Sequence, residues 1–315
     1  MSMQKGSTVK VLLGYEATFK TASADGFQLP VNTFGLKATR ALNAAATLAG
    51  SRNPPMPFAG NKSTAGAIVV PVDSLALPYW LKAIFGAPGT TGAGPYVHEF
   101  KIGDVQPSLT LEAAFTDLAT DKFSRFLGCK IGGFSLDVGG DGELVMTLNT
   151  VGADHSFQAA AFDASPTVVT LARVNNFQAA VTEGGSTLAN AKLINLAVDF
   201  GLDTSQYVIG GAGSLGAIPE GTVKVSGRVQ TLFEDTTLLD KGANLTESGL
   251  KITITGSASS IVEFEIPELF YEWSSPDVPG PQGLMVDMAF QGFYDNHAEA
   301  SAIVARVTNG VASYA

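Results

Sequence analysis

The chain predicts a mainly β protein built of two tandem sandwich- or barrel-like domains, each with a short flanking α-helix. Three observations predict it. Apolar and polar residues alternate strictly in several runs, among them Leu109–Glu112 and Leu250–Thr255. Glycine (35) and proline (15) are frequent in the 315 residues without a collagen period, which suits short strands and tight turns. The order of patterns in the first half also returns in the second.

The organising unit is Ser63–Gly86. Ala67–Val70 is apolar and partly β-branched, so it reads as a buried strand that Pro71 closes. Asp73 or Ser74 then caps a helix. Leu77, Trp80, Leu81, Ile84 and Phe85 fall on one helical face, and Gly86 stops it. A similar unit runs from Val223 to Gly242, with Gly227 in the strand, Asp235 at the corner and a shorter helix beginning at Leu238. Gly66 and Gly227 are 161 residues apart, about half the chain.

In chain order, Val9–Phe19 reads as an extended arm or first strand, and Ala22–Gly26 as a turn. Lys37–Asn61 reads as a long loop, because it is rich in alanine and contains Pro54-Pro55. Thr116–Phe126 reads as a short helix. Strands follow at Lys130–Val138 and Glu143–Gly152, joined by a Gly139–Gly142 turn. Ala153–Pro166 is the junction, giving domains 1–155 and 156–315. Tyr15–Phe19 is echoed by Phe177–Val181, Phe34–Leu36 by Phe200–Leu202, and Gly142–Leu148 by Gly283–Phe290. Ser301–Tyr314 reads as a strand-like tail.

The totals narrow the function. Net charge is −10, which argues against a protein that grips nucleic acid through phosphates, since that needs a basic face. Only 15% of residues are charged, which favours surface hidden against further copies. One cysteine, Cys129, rules out an intramolecular disulfide and reads as a small core residue. Neither a signal pattern nor a run of roughly 20 apolar residues is present, so the expectation is synthesis in the cytoplasm and no membrane contact.

No enzyme signature stands out. His98, His155 and His297 are dispersed, and no metal or cofactor is expected. Gly211–Gly216 matches a dinucleotide glycine pattern, but Pro219 follows where a helix must start, so it reads as a loop. Polar residues on one face of several strands are channel-lining candidates: Thr110, Glu112, Thr147, Asn149, Lys251, Thr253, Thr255, Glu263 and Glu265. A mixed polar and acidic wall gives phosphate no grip, so DNA slides past it.

The order of elements resembles the major tail tube proteins of long-tailed (siphovirus-like) bacteriophages. The resembling residues are Leu48–Asn53, Gly60, Gly66–Asp73 and the helix to Gly86, then Pro107–Glu112, Gly128–Ile131 and Met146–Gly152. In the second half they are Gly227–Asp235, Gly283–Tyr294 and Val307–Asn309. The resemblance implies a structural virion protein of the tail, without enzyme activity, that forms six-position rings stacked around a DNA channel. It implies self-association, tail terminator and baseplate or distal tail proteins as partners, and passage of DNA without specific binding. Two tube domains per chain imply a trimeric pseudo-sixfold ring, with a hexamer as the alternative. Met1–Leu13, Ala41–Asn61 and Ala302–Ala315 are the expected ring-to-ring contacts. The alternative reading is a cell-surface or carbohydrate-binding β-sandwich.

Overall fold

The computed structural model describes residues 3–48, 50–278 and 280–314. Among these the first half forms β1 (Lys10–Tyr15), β2 (Phe27–Leu29), β3 (Thr33–Phe34), β4 (Lys37–Asn43), β5 (Phe58–Pro71), α1 (Leu77–Phe85), β6 (Gly89–Thr91), β7 (Tyr96–Lys101), β8 (Leu109–Phe115), β9 (Lys122–Val138), β10 (Val145–Gly152) and β11 (Asp154–Gln158). The second forms β12 (Thr167–Val168), β13 (Ala179–Glu183), β14 (Ser186–Thr187), β15 (Ala191–Asp199), β16 (Lys224–Leu232), α2 (Thr237–Ala243), β17 (Ser248–Ser257), β18 (Ser260–Tyr271), β19 (Met285–Phe293) and β20 (Val304–Asn309). The chain is therefore mainly β, as its alternation and turn residues require.

The organising unit forms as its residues dictate. The Asp73 carboxylate accepts hydrogen bonds from the amides of Leu75, Ala76 and Leu77 at the start of α1. It also accepts from Ala172 in the second half. Leu77, Trp80, Leu81, Ile84 and Phe85 are all buried, and Gly86 ends the helix at φ 96°. Asp235 does the same more simply, accepting from Thr237 at the start of α2.

Two expected elements differ. Lys37–Asn61 is not all loop: β4 and β5 are its arms, a hairpin whose tip spans residues 44–57. Lysine, threonine and asparagine side chains face water along it, so it carries no apolar alternation to read. Thr116–Phe126 is not a helix. It is a turn running into β9, whose 17 residues bend through the Gly132-Gly133 irregularity.

Strand order repeats. The first half pairs β1–β8–β9–β10–β5–β4, and the second β13–β17–β18–β19–β16–β15, all antiparallel. A Cβ on Gly66 would meet the Gly35 carbonyl at 2.2 Å, and one on Gly227 the Asn195 carbonyl at 2.3 Å. Gly35 and Asn195 thus hold equivalent places. The sequence echo of Phe34–Leu36 in Phe200–Leu202 is six residues out of this register, because it matched residue types while pairing is set by the backbone.

The halves are not separate bodies. β15 pairs with β9, β20 with β7, and β12 runs parallel to β2. One core cluster includes Trp80 and Phe134 from the first half and Phe264 and Met288 from the second. Phe134 on β9 meets Phe264 on β18 across it, with ring centroids 6.3 Å apart.

Candidate assembly and channel surfaces

Because Phe134 and Phe264 meet across the core, the layers bearing them turn their other faces outward on opposite sides. The layer β5–β10–β9–β15–β16–β19 has an outward face of Thr147, Asn149, Asp137, Asn195, Arg228 and Gln291. Buried and exposed residues alternate along its strands, as period-two geometry requires. The Asn195 amide donates to Asp137 at 2.6 Å, tying β15 to β9 across the two halves. Arg228 pairs with Asp287 at 3.1 Å on the same face. On this layer Asn195, Arg228 and Gln291 each engage a neighbouring carboxylate, Gln291 donating to Glu272 at 2.7 Å.

The opposite layer carries the other candidates. Lys251 pairs with Glu263 at 2.9 Å, and the Thr253 hydroxyl donates to the same carboxylate at 3.0 Å. Arg306 on β20 gathers Glu99 at 2.8 Å, Glu299 at 2.6 Å and Glu265. Burial raises Glu99 and Glu299, but their bonds to Lys101 and Arg306 outweigh it and hold both below the usual glutamate range. Thr255 is exposed at the end of β17. The candidates thus divide: Thr147 and Asn149 lie on one outer surface, Lys251, Thr253, Thr255, Glu263 and Glu265 on the other.

Thr110 and Glu112 reach neither surface. Both are 0% exposed. The Thr110 hydroxyl donates to Glu16, and Arg125 donates to Glu112 at 2.6 Å. Burial pushes the Glu112 carboxyl up, against the opposing pull of Arg125. Alternation marks Leu109 and Leu111 as inward, but β8 is covered on both faces, so its polar residues are paired inside.

Sequence reasoning missed Asn195, Arg228 and Gln291 on the polar face. Each lies on an alternating strand, but nothing local signals that β15 lies beside β9. His98 is buried with Thr90, Asn309 and Val311 around its ring. His155 bonds Ser124. Among the described residues no cluster of three or more His, Cys, Asp or Glu is arranged to hold a metal ion. None of their helices is long and apolar enough to cross a membrane.

The expected arms are partly built in. β1 begins at Lys10, and Val11, Leu12 and Leu13 are buried. Residues 3–9 lie outside it, tied down where Gln4, Lys5 and Thr8 meet Asp117. β20 is sandwiched between β18 and β7, and buried Tyr314 donates to the Leu75 carbonyl. Met1, Ser2, Ala49 and Ala315 of these expected contacts lie outside the described residues. The hairpin tip does project, with Leu48 and Met56 almost fully exposed.

The described residues thus form a two-layered β structure with a polar outward face and an exposed apolar hairpin tip, and no assembled catalytic or metal site stands out among them. Residues 6–292 match the family model described as phage tail tube protein, so the chain belongs to that family and is a structural component of the virion tail. No curated protein is detectably similar to it.

Proposed function

We propose that three chains close into a ring of six similar positions, and that stacked rings form a tube through which DNA passes. Residues 1–155 and 156–315 each supply one tube unit. The observation that carries this reading is the repeated strand order, with β15 of the second unit laid on β9 of the first. One chain already contains a head-to-tail junction between two similar units, and a heterologous junction that repeats closes a ring. The polar face of Thr147, Asn149, Asp137, Asn195 and Arg228 lines the bore. Lys251, Thr253, Thr255, Glu263 and Glu265 then belong to the outside of the tube. The hairpin tip at residues 44–57 reaches the next ring, burying Leu48 and Met56.

Negative-stain microscopy and mass measurement of the purified protein test this. Rings of three chains, or tubes with sixfold projections, are expected. A monomer at all concentrations would overturn the reading, and rings of six chains would overturn the threefold count.

A further inference from the structure

We infer that the ring seam is a β-sheet junction between β3–β4 of one chain and the segment Glu272–Val278 of a second copy, in a register fixed by the junction already inside the chain. The inference rests on the ring proposed above and deepens it.

The template is β15 on β9, where Asp199 lies opposite Gly133, Val198 opposite Phe134, Ala197 opposite Ser135 and Leu196 opposite Leu136. Each strand has a counterpart that ends at an open edge. Gly35 is equivalent to Asn195, as the two glycine crossings place them, so β3–β4 is the counterpart of β15. β3 and β4 pair only with β5, leaving their other edge open among the described residues. On the other side, Gly66 lies opposite Thr150 and Gly227 opposite Phe290, so β19 is the counterpart of β10. Gly133 pairs with Asn149, whose counterpart is Ala289, and the Glu272 amide donates to the Ala289 carbonyl. Glu272 therefore stands where Gly133 stands, and Trp273 where Phe134 stands. Residues 272–278 carry on from β18 without assigned secondary structure and, among the described residues, without a strand partner on this side, and Trp273 is 65% exposed where Phe134 is buried. A core aromatic position left in water is an unfinished interface.

Transferring the register puts Thr39 opposite Glu272, Ala38 opposite Trp273, Lys37 opposite Ser274 and Leu36 opposite Ser275. Backbone direction on the β3–β4 side agrees with it. The Gly35 amide donates to Ala67, so the amides of Leu36 and Ala38 point to the open edge. The Glu272 amide points to β19, so with the strand continued through the seam those of Trp273 and Ser275 point outward. In the template the Phe200 amide donates to the Gly132 carbonyl, so Phe134/Val198 and Leu136/Leu196 are the hydrogen-bonded pairs. The seam thus bonds Ala38 to Trp273 and Leu36 to Ser275, where it displaces the 3.4 Å bond that the Ser275 carbonyl accepts from the Ser274 hydroxyl. Pro276, which has no N–H, turns its nitrogen toward β19 and costs the seam no bond.

Lys37 and Ser274 form a non-hydrogen-bonded pair, with Cα atoms about 4.5 Å apart, within disulfide reach. Both are exposed, and the chain's one cysteine, Cys129, is buried. The Lys37→Cys, Ser274→Cys double variant should convert most of the oxidised protein into reductant-sensitive covalent trimers, and each single variant should give no trimer. The out-of-register pair Lys37→Cys, Asp277→Cys should give none. Rings in micrographs without cross-linking of the in-register pair would overturn this seam and leave the ring standing. Neither rings nor cross-links would overturn both. A ladder running past three chains would uphold the seam and remove the threefold count.

Discussion

Replacing Gly66 by alanine should both destabilise the chain and disturb its assembly edge. The added Cβ would lie 2.2 Å from the Gly35 oxygen, 2.6 Å from its carbonyl carbon and 2.7 Å from the Leu36 Cα. Ordinary contact begins near 3.4 Å, so the strands must part by about 1 Å. All three obstacles are backbone atoms, and no side chain can swing aside to relieve them. Overpacking typically costs about 1–3 kcal/mol, and this geometry belongs at the upper end, near ~3 kcal/mol. At roughly 2–4 °C per kcal/mol for a chain of this order of size, Tm should fall by about 6–12 °C. Thermal unfolding followed by circular dichroism measures it, with Gly89→Ala as the control, since nothing lies within 4 Å of a Cβ there. The displaced atoms belong to the β3–β4 edge, so ring yield at a temperature where the variant is folded should fall as well. A Gly66→Ala protein melting within about 1 °C of the parent would refute the reasoning.

Other perturbations follow the same logic. Asp73→Ala removes the acceptor for three amides at the start of α1 and one from Ala172. It should cost about 2–4 kcal/mol in denaturant unfolding, and Asp73→Asn clearly less, because one oxygen still accepts. Arg306→Met leaves Glu99, Glu265 and Glu299 crowded without their shared cation, so stability should drop by about 1–3 kcal/mol, more at low salt than at high. Glu99 and Glu299 have depressed native values, so their contribution is present above the usual glutamate range and lost as pH falls through the native ones. Chemical unfolding across acid pH should show this loss, and Glu99→Gln should flatten it. Deleting residues 1–8 spares β1, so the fold should survive with a Tm change of a few degrees at most, whereas deletion through Leu13 removes a buried strand and should prevent folding.

The elements legible in the sequence were those whose cause is local. Asp73, the apolar face from Leu77 to Phe85 and Gly86 specify α1 within fourteen residues. Leu250, Ile252 and Ile254 specify the inward face of β17 by period alone, and all three are buried. β4 was not legible, because both its arms and its tip are wet and its alanines suit a helix as well as a strand. Nor was the fate of Thr110 and Glu112, since a polar residue in an alternating run faces water only if nothing covers that face. What covers β8 comes from Glu16, Arg125 and the turn at Phe162, none of them neighbours in sequence.

Periodicity states which face a side chain takes; it is silent on which strand lies alongside. That choice is made by backbone amides and carbonyls, which carry no residue signature, and a one-residue slip inverts every face at once. On the reading proposed above, the repeated strand order supplies what the residues withhold. β15 pairs with β9 across the two halves, and in the proposed seam β3–β4 and Glu272–Val278 are the same two edges awaiting a mate. An unpaired edge costs solubility and invites uncontrolled association unless it is blunted or satisfied. β4 is blunted by Lys37 and Arg40, while Trp273 is left bare beside its own edge. The charges on β4 restrain that edge from pairing with its own kind, and in the proposed seam head-to-tail closure satisfies both edges.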